Sequence, residues 1–219
     1  SGRTLRLASG VQPGRLKAFA QGLFQVQDDS SAAVAEFLGA QPGEMVLDLC
    51  AAPGGKTCHI AERMQRQGQI IAVDDSARRL ERVAENMKRL DLPIIAIVES
   101  EGAAFAHQNR NRFHRVLLDA PCSNTGVLRR RVEARWRFSS AALCELVKQQ
   151  RALLESALAA VKPGGVLVYS TCSLEPEENG ELVRAVLRGR AEFRLDAEEQ
   201  ILPARNGGDG IYMSRIARA

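Results

Sequence analysis

Short apolar runs alternate with amphipathic stretches along most of the chain. The runs at 45–49, 70–73, 94–98, 116–118 and 166–169 lack the in-and-out alternation of a sheet with one wet face. They read as strands buried on both sides. Turn signals precede three of them: Gln41-Pro42-Gly43, Gly68 and Pro93. Between the runs, apolar residues recur at helical spacing. Ala33, Val34, Phe37 and Leu38 predict a short helix before the first strand, and Leu80, Val83, Ala84, Met87 and Leu90 share one helical face. A longer stripe runs through Leu143, Leu146, Val147, Leu153, Leu154, Leu158 and Val161, closed by Lys162-Pro163-Gly164-Gly165. Leu182, Val183, Val186 and Leu187 make a further helix, with Pro176 near its start. Glu177 and Glu178 are then expected in its first turn, where acids suit the positive end of the helix dipole.

Alternation of this kind predicts right-handed crossovers and a doubly wound sheet. Near the C-terminus, 192–195 and 211–216 predict two more strands, separated by a loop carrying Pro203 and Asn206-Gly207-Gly208. The expected fold class is α/β: a mostly parallel seven-stranded sheet ending in an antiparallel hairpin.

Composition narrows the class. No apolar run approaches the length that spans a bilayer, and no signal-type stretch opens the chain. Five cysteines, an odd number in 219 residues, do not describe a disulfide scaffold, so a reducing, cytoplasmic compartment is expected, and a monomer. The net charge of +4 points only weakly to an anionic partner. Its distribution is more informative. Arg129, Arg130, Arg131, Arg135 and Arg137 cluster around a single acid, Glu133, and Asn109-Arg110-Asn111-Arg112 adds a second basic stretch. Both are candidates for a phosphate-facing surface. Trp136 or Phe138 either stacks on a displaced base or, for Trp136, anchors a loop to the core.

Two cysteine tripeptides follow predicted strands: Pro121-Cys122-Ser123 and Thr171-Cys172-Ser173. In a parallel sheet both emerge at the edge where open α/β folds keep their chemistry. A lone cysteine at a strand end is more often a core residue, but two equivalent ones suggest thiols acting on one substrate. Cys144 lies on the long helix beside apolar positions and reads as packing. Cys50, Cys58 and His59 match no paired zinc-ligand spacing, so no metal is expected.

The loop Cys50-Ala51-Ala52-Pro53-Gly54-Gly55-Lys56 leaves the first strand and leads into a helix, and the second strand ends in Asp74. Small residues let a ligand approach the backbone, and an acid at that strand end can hold ribose hydroxyls. A nucleoside-containing cofactor follows. The loop has neither the G-x-G-x-x-G nor the P-loop spacing.

Three segments together resemble the RNA cytosine-5 methyltransferases of the NOL1/NOP2/Sun family: 47–57, Asp119-Ala120-Pro121-Cys122-Ser123 and Tyr169-Ser170-Thr171-Cys172-Ser173. Gln27-Asp28-Asp29-Ser30-Ser31 is similar to that family's leading motif, and Pro176-Glu177-Glu178-Asn179 to its post-cysteine motif. Within the family the chain looks most similar to the bacterial ribosomal small-subunit RNA methyltransferase B group. The resemblance implies a Rossmann-like methyltransferase fold over residues 31–219. Residues 1–30 would be an N-terminal extension or the remainder of an upstream RNA-binding region.

The resemblance also implies roles. S-adenosyl-L-methionine would be the cofactor, held by Cys50, Ala51, Ala52, Pro53, Gly54, Gly55 and Lys56, with Asp74 on the ribose and Arg79 beside it. Glu101 stands where the family has an aspartate, and Asp119 is also within reach of the cofactor. Cys172 would be the nucleophile on cytosine C6. Cys122 would assist proton removal or product release, Asp119 would bind the base edge near N3, and Lys56 would lower a thiol pKa. Arg129-Arg130-Arg131-Val132-Glu133 lacks the proline that the family commonly carries there. RNA, ribosomal in the leading reading, is the expected partner, with no membrane. Two other readings stay open: a noncatalytic RNA-binding scaffold and a nucleotide-dependent oxidoreductase.

Overall fold

A computed structural model describes residues 5, 7, 10–203 and 208–219. Part of the 203–208 loop, including Asn206 and Gly207, lies outside the described residues. Strands β1 (Met45–Leu49), β2 (Gln69–Asp74), β3 (Ile95–Glu99), β4 (Phe113–Asp119), β5 (Val161–Thr171), β6 (Phe193–Ile201) and β7 (Ile211–Arg218) form a seven-stranded sheet. Its order is β3-β2-β1-β4-β5-β7-β6. Strands β1 to β5 pair in parallel, β7 runs antiparallel to β5, and β6 antiparallel to β7. The expected fold class, hairpin included, is borne out.

The helices are α1 (Lys17–Ala20), α2 (Asp29–Leu38), α3 (Gly55–Arg63), α4 (Ala77–Arg89), α5 (Gly102–Gln108), α6 (Ala134–Arg137), α7 (Ser140–Ala160) and α8 (Gly180–Leu187). Two cores explain why the strands read as unbroken apolar runs. Leu47, Leu49, Val116, Leu118, Leu167 and Tyr169 face α5, α7 and α8. Val46, Ile70, Ala72, Leu117 and Val168 face α2, α3 and α4 on the other side. Leu154 and Leu158 of α7 are fully buried, each worth about 1.5–3 kcal/mol against exposure. Side-chain caps start α2 and α4: Asp28 accepts from Ser30 N at 3.0 Å, and Ser76 from Arg79 N. No helix among the described residues is long and apolar enough to cross a membrane.

Four local expectations are corrected. Val161 and Lys162-Pro163-Gly164-Gly165 do not close α7; they belong to β5. The residue before a proline is pushed out of the helical region, and Gly164 at φ +73° accommodates a register shift against β4. Pro176–Glu178 forms a separate 3-10 turn, so Glu177 and Glu178 are not in the first turn of α8. Cys144 is exposed on α7 rather than packed. Trp136 is 85% exposed, which removes it as an anchor to the core. Ahead of α2, Arg89 Nη1 holds the carbonyls of Phe19 and Phe24 at 3.0 and 2.9 Å.

Candidate active site

Parallel pairing brings the carboxyl ends of β1 to β5 to one edge. The loop after β1 turns sharply there. Cys50 sits at φ 59° and Gly54 at φ +93°, where a Cβ would also press on Val83 at 3.2 Å. Gly54 is therefore the residue that lets α3 start under the sheet edge. Ala52 N donates to Asp74 Oδ2 at 3.2 Å, which ties the loop to the end of β2. Asp74 is buried, and its Oδ1 accepts from Ser76 N at 3.1 Å and from Arg79 at 3.1 and 2.7 Å. The 50–56 loop, Asp74 and Arg79 thus converge. Glu101 lies one strand further along, exposed at the start of α5 and making no side-chain cap to it.

Sequence reasoning missed Asp48, which faces the second core beneath this loop. Its Oδ2 accepts from Thr57 Oγ1 at 2.6 Å, while its buried Oδ1 has no partner among the described residues. Burial pushes its pKa up to about 7, against the pull of the Thr57 hydrogen bond. Alternation along β1 carried the signal: an acid stood within an apolar run. Burial likewise pushes the Cys50 and Cys58 thiols up to about 12, so both stay protonated at neutral pH.

The two cysteines meet. Cys122, after β4, and Cys172, after β5, have their Sγ atoms 3.3 Å apart. Beside them, Lys56 Nζ donates to Asp119 Oδ2 at 2.7 Å, and Ser170 Oγ donates to Asp119 Oδ1 at 2.7 Å. The pair is asymmetric. The hydrogen bond from Cys122 is the main cause that lowers the Cys172 thiol; burial and Asp119 oppose it, and Lys56 and Arg131 help. The same hydrogen bond and burial raise Cys122 well above the usual thiol range. The arrangement therefore makes Cys172 the more readily ionised of the two thiols, with the Cys122 thiol placed to stabilise its thiolate.

Asn124 is a second residue that sequence reasoning missed. Its Nδ2 donates to Cys122 O at 2.7 Å, and its Oδ1 accepts from Cys172 Sγ at 3.2 Å. Asn124 sits at φ 62°, a left-handed position that asparagine tolerates. Next to it, Gly126 N donates to Cys172 O at 2.9 Å; a Cβ there would meet that oxygen at 2.8 Å.

The arginine segment divides. Arg130 pairs with Asp28 and with Asp209 at 3.0 Å, and Arg129 with Asp209 at 3.2 Å. These two lock the segment to the α2 cap and to the residues before β7. Arg131 and Arg137 instead wall a cavity of about 240 Å³ beside Cys122, with Phe138, Leu143 and Leu146. In the second basic stretch, Arg112 bonds Asn109 at 2.6 Å.

A model of the family described as 16S rRNA methyltransferase RsmB/F matches residues 35–217. A relative from Erwinia tasmaniensis, described as ribosomal RNA small subunit methyltransferase B, is 40% identical over 99% of this chain and 52% of its own length. One of the same description from Cronobacter sakazakii is 39% identical over 98% of this chain and 51% of its own. The chain thus spans about half the length of the curated relatives it matches. Among solved structures, NSun6 from Pyrococcus horikoshii with SFG superposes with a TM-score of 0.84 at 30% identity, covering 94% of this chain and 56% of that one. A methyltransferase homolog protein from the same organism gives 0.81 at 30% identity, covering 96% and 73%. The resemblance read from the three motifs is borne out, and the chain belongs to the 16S rRNA methyltransferase RsmB/F family.

Proposed function

We propose that the chain is the catalytic part of an S-adenosylmethionine-dependent RNA cytosine-5 methyltransferase acting on ribosomal RNA in the cytoplasm. Residues 31–219 form its catalytic domain, and the preceding residues an extension. The observation that carries the reading is the 3.3 Å approach of Cys122 and Cys172 beside the Lys56–Asp119 pair.

The cofactor's chemistry fits the residues present. Asp48, Asp74, Asp75 and Asp119 lie at or near the ends of three adjacent strands, with Glu101 beyond the next. Of these carboxylates, Asp48 has a buried oxygen, Oδ1, with no partner among the described residues. Such a set suits a ligand bearing hydroxyl, ammonium and sulfonium groups, and it repels a dinucleotide's diphosphate. That counts against the oxidoreductase reading. Asp74 and Arg79 would hold the ribose end, and the 50–56 loop would line the rest. When bound, S-adenosylmethionine supplies an electrophilic methyl group.

The chain's own residues do the remainder. The Cys172 thiolate adds to cytosine C6, which gives C5 enamine character and makes it the nucleophile. Asp119 binds the base edge near N3, and Lys56 keeps the local charge balanced as the adduct forms. After transfer, C5 carries both the methyl group and its original proton. That proton passes to water with Cys122 assisting, and the electron pair of the C5–H bond expels the Cys172 thiolate, which the Cys122 thiol receives by a hydrogen bond. Attack needs one face of the ring, so the target is single-stranded or opened RNA. Arg131, Arg137, Phe138 and the exposed Trp136 offer phosphate and stacking contacts beside Cys122. A noncatalytic scaffold would have no need of two thiols held in contact.

The test is methyl transfer from labelled cofactor to RNA from a methylation-deficient host, using the full-length protein, followed by nucleoside analysis. Formation of 5-methylcytidine is expected, and its absence under conditions where cofactor binds would sink the reading. Cys172→Ala should abolish transfer. Cys122→Ala should accumulate a covalent protein–RNA adduct, visible as a denaturant-resistant shift on a gel.

A further inference from the structure

Glu178 is fully buried, and the hydrogen bonds to its carboxylate come from serines and a glutamine. A carboxylate buried in this way is costly unless its oxygens are satisfied. Here Oε1 accepts from Ser123 N at 2.9 Å and from Gln150 Nε2 at 2.8 Å. Oε2 accepts from Ser123 Oγ at 2.5 Å and from Ser173 Oγ. Ser123 directly follows Cys122, and Ser173 directly follows Cys172. Ser123 Oγ and Ser173 Oγ also lie 3.0 Å apart. Gln150 donates a second time, to Pro121 O at 2.8 Å, on the other side of Cys122. The Glu178 carbonyl accepts from Tyr169 OH at 2.7 Å, which fixes the 3-10 turn to β5. One carboxylate therefore grips both cysteine loops, each one residue from its sulfur.

Resting on the reading of Cys172 and Cys122 as the working pair, we propose that Glu178 is a positioning residue whose buried carboxylate sets the separation of the two thiols. One crossover separates the loops after β4 and β5, and Gly126 N donating to Cys172 O at 2.9 Å already ties their backbones; the carboxylate adds a tie that lies one residue from each sulfur. None of the hydrogen bonds to its carboxylate comes from either sulfur, so it acts through the serines.

 Removing it should leave the fold in place but let the thiols drift apart.

The readout is the rate at which diamide joins Cys122 to Cys172, which needs neither RNA nor cofactor. One thiolate adds to the N=N bond of diamide, and the second attacks that sulfur, breaking the S–N bond and releasing the hydrazine. A disulfide forms, and two electrons and two protons pass to the diamide. The full-length protein is used in a Cys144→Ser background, with peptide mapping to identify the bond. Glu178→Ala should cross-link about tenfold or more slowly, since misplacement by about an ångström costs that much in a proximity-controlled step. Glu178→Gln keeps the length and can still meet all four donors once the hydroxyls turn round, so it should retain most of the rate. A purely structural role would lower the melting temperature without changing the rate in folded protein. A wild-type rate in folded Glu178→Ala overturns the proposal, as does a loss in Glu178→Gln as deep as in Glu178→Ala. If Glu178→Ala does not fold, the Ser123→Ala/Ser173→Ala double variant decides: slow cross-linking supports the clasp, and a wild-type rate overturns it. Failure of methyl transfer alongside slowed cross-linking would remove the proposed function and leave the clasp standing.

Discussion

Replacing Lys56 by Met keeps most of the side-chain volume and removes one charge. In the wild type the ammonium is largely buried, 2.7 Å from Asp119 Oδ2. At an effective dielectric near 20, a pair at that distance is coupled by about 6 kcal/mol gross. Desolvation and the partial exposure of Asp119 cut the net to about 1–3 kcal/mol. Two consequences for Cys172 act in the same direction. The thiolate loses a cation that lowers its pKa, and Asp119, which raises it, is no longer neutralised. A nearby charge displaces a pKa by about 1–3 units, with the low end at a site open to water, so the Cys172 midpoint should rise. Below the midpoint each unit removes nine-tenths of the thiolate, so alkylation by iodoacetamide near pH 7 should slow about 10- to 100-fold. Well above the midpoint the rate should match the wild type. The assay is the pH dependence of alkylation, followed by mass spectrometry of the Cys172 peptide. The hydrogen bond from Cys122 remains in the variant, so the shift isolates the ammonium. An unchanged or lowered midpoint in folded protein would refute the electrostatic argument.

Asp48 makes stability depend on pH. Its pKa is about 7 in the folded chain, raised mainly by burial, against 3.8 for the ordinary group. The folded state therefore binds the extra proton between about pH 4 and pH 7, and stability falls as pH rises through that window. Asp48→Asn keeps an acceptor for Thr57 and should remove roughly 3 kcal/mol of this dependence at most, read from urea unfolding at about pH 5 and pH 8; an equal change in stability in both proteins would count against it. Trp136→Ala should leave the melting temperature within about 1 °C, because the ring is 85% exposed, while weakening single-stranded RNA binding by about 1–3 kcal/mol in a filter or fluorescence titration. Undiminished affinity would show that the ring does not stack on a base.

The sheet was legible because burial on both faces leaves a strong mark. Val46, Leu47, Leu117 and Leu118 alternate between two cores, yet each is apolar, so the run is continuous. Strand ends were less visible. β2 begins at the exposed Gln69 and β4 at Phe113, ahead of the apolar runs that marked them. The bulge at 162–165 carried every sign of a helix stop; only the flanking pairs, Val161 with Phe113 and Val166 with Arg115, make it part of a strand. Cys144 failed for a different reason. A long helix is apolar on one stripe, and the neighbours of a cysteine in sequence do not fix its side of that stripe.

The site shows where sequence reasoning reaches its physical limit. Residues at strand ends could be gathered at one edge because parallel pairing orders them, and this brought Cys122, Cys172, Asp119 and Asp74 into view. Pairings between side chains from separate loops have no such rule. Arg129 and Arg130 looked like free cations because their acids, Asp28 and Asp209, lie at opposite ends of the chain. Glu178 looked like a helix-dipole acid because Glu177 and Glu178 precede an apolar helix. Glu178 turns inward only because the 3-10 turn ends before α8 begins and Tyr169 holds its carbonyl. A local rule explained its charge with about 0.3–1 kcal/mol of dipole interaction, whereas four hydrogen bonds, several to an ionisable acceptor, are worth more than that. The stronger interaction is nonlocal, and it decides which way the side chain points.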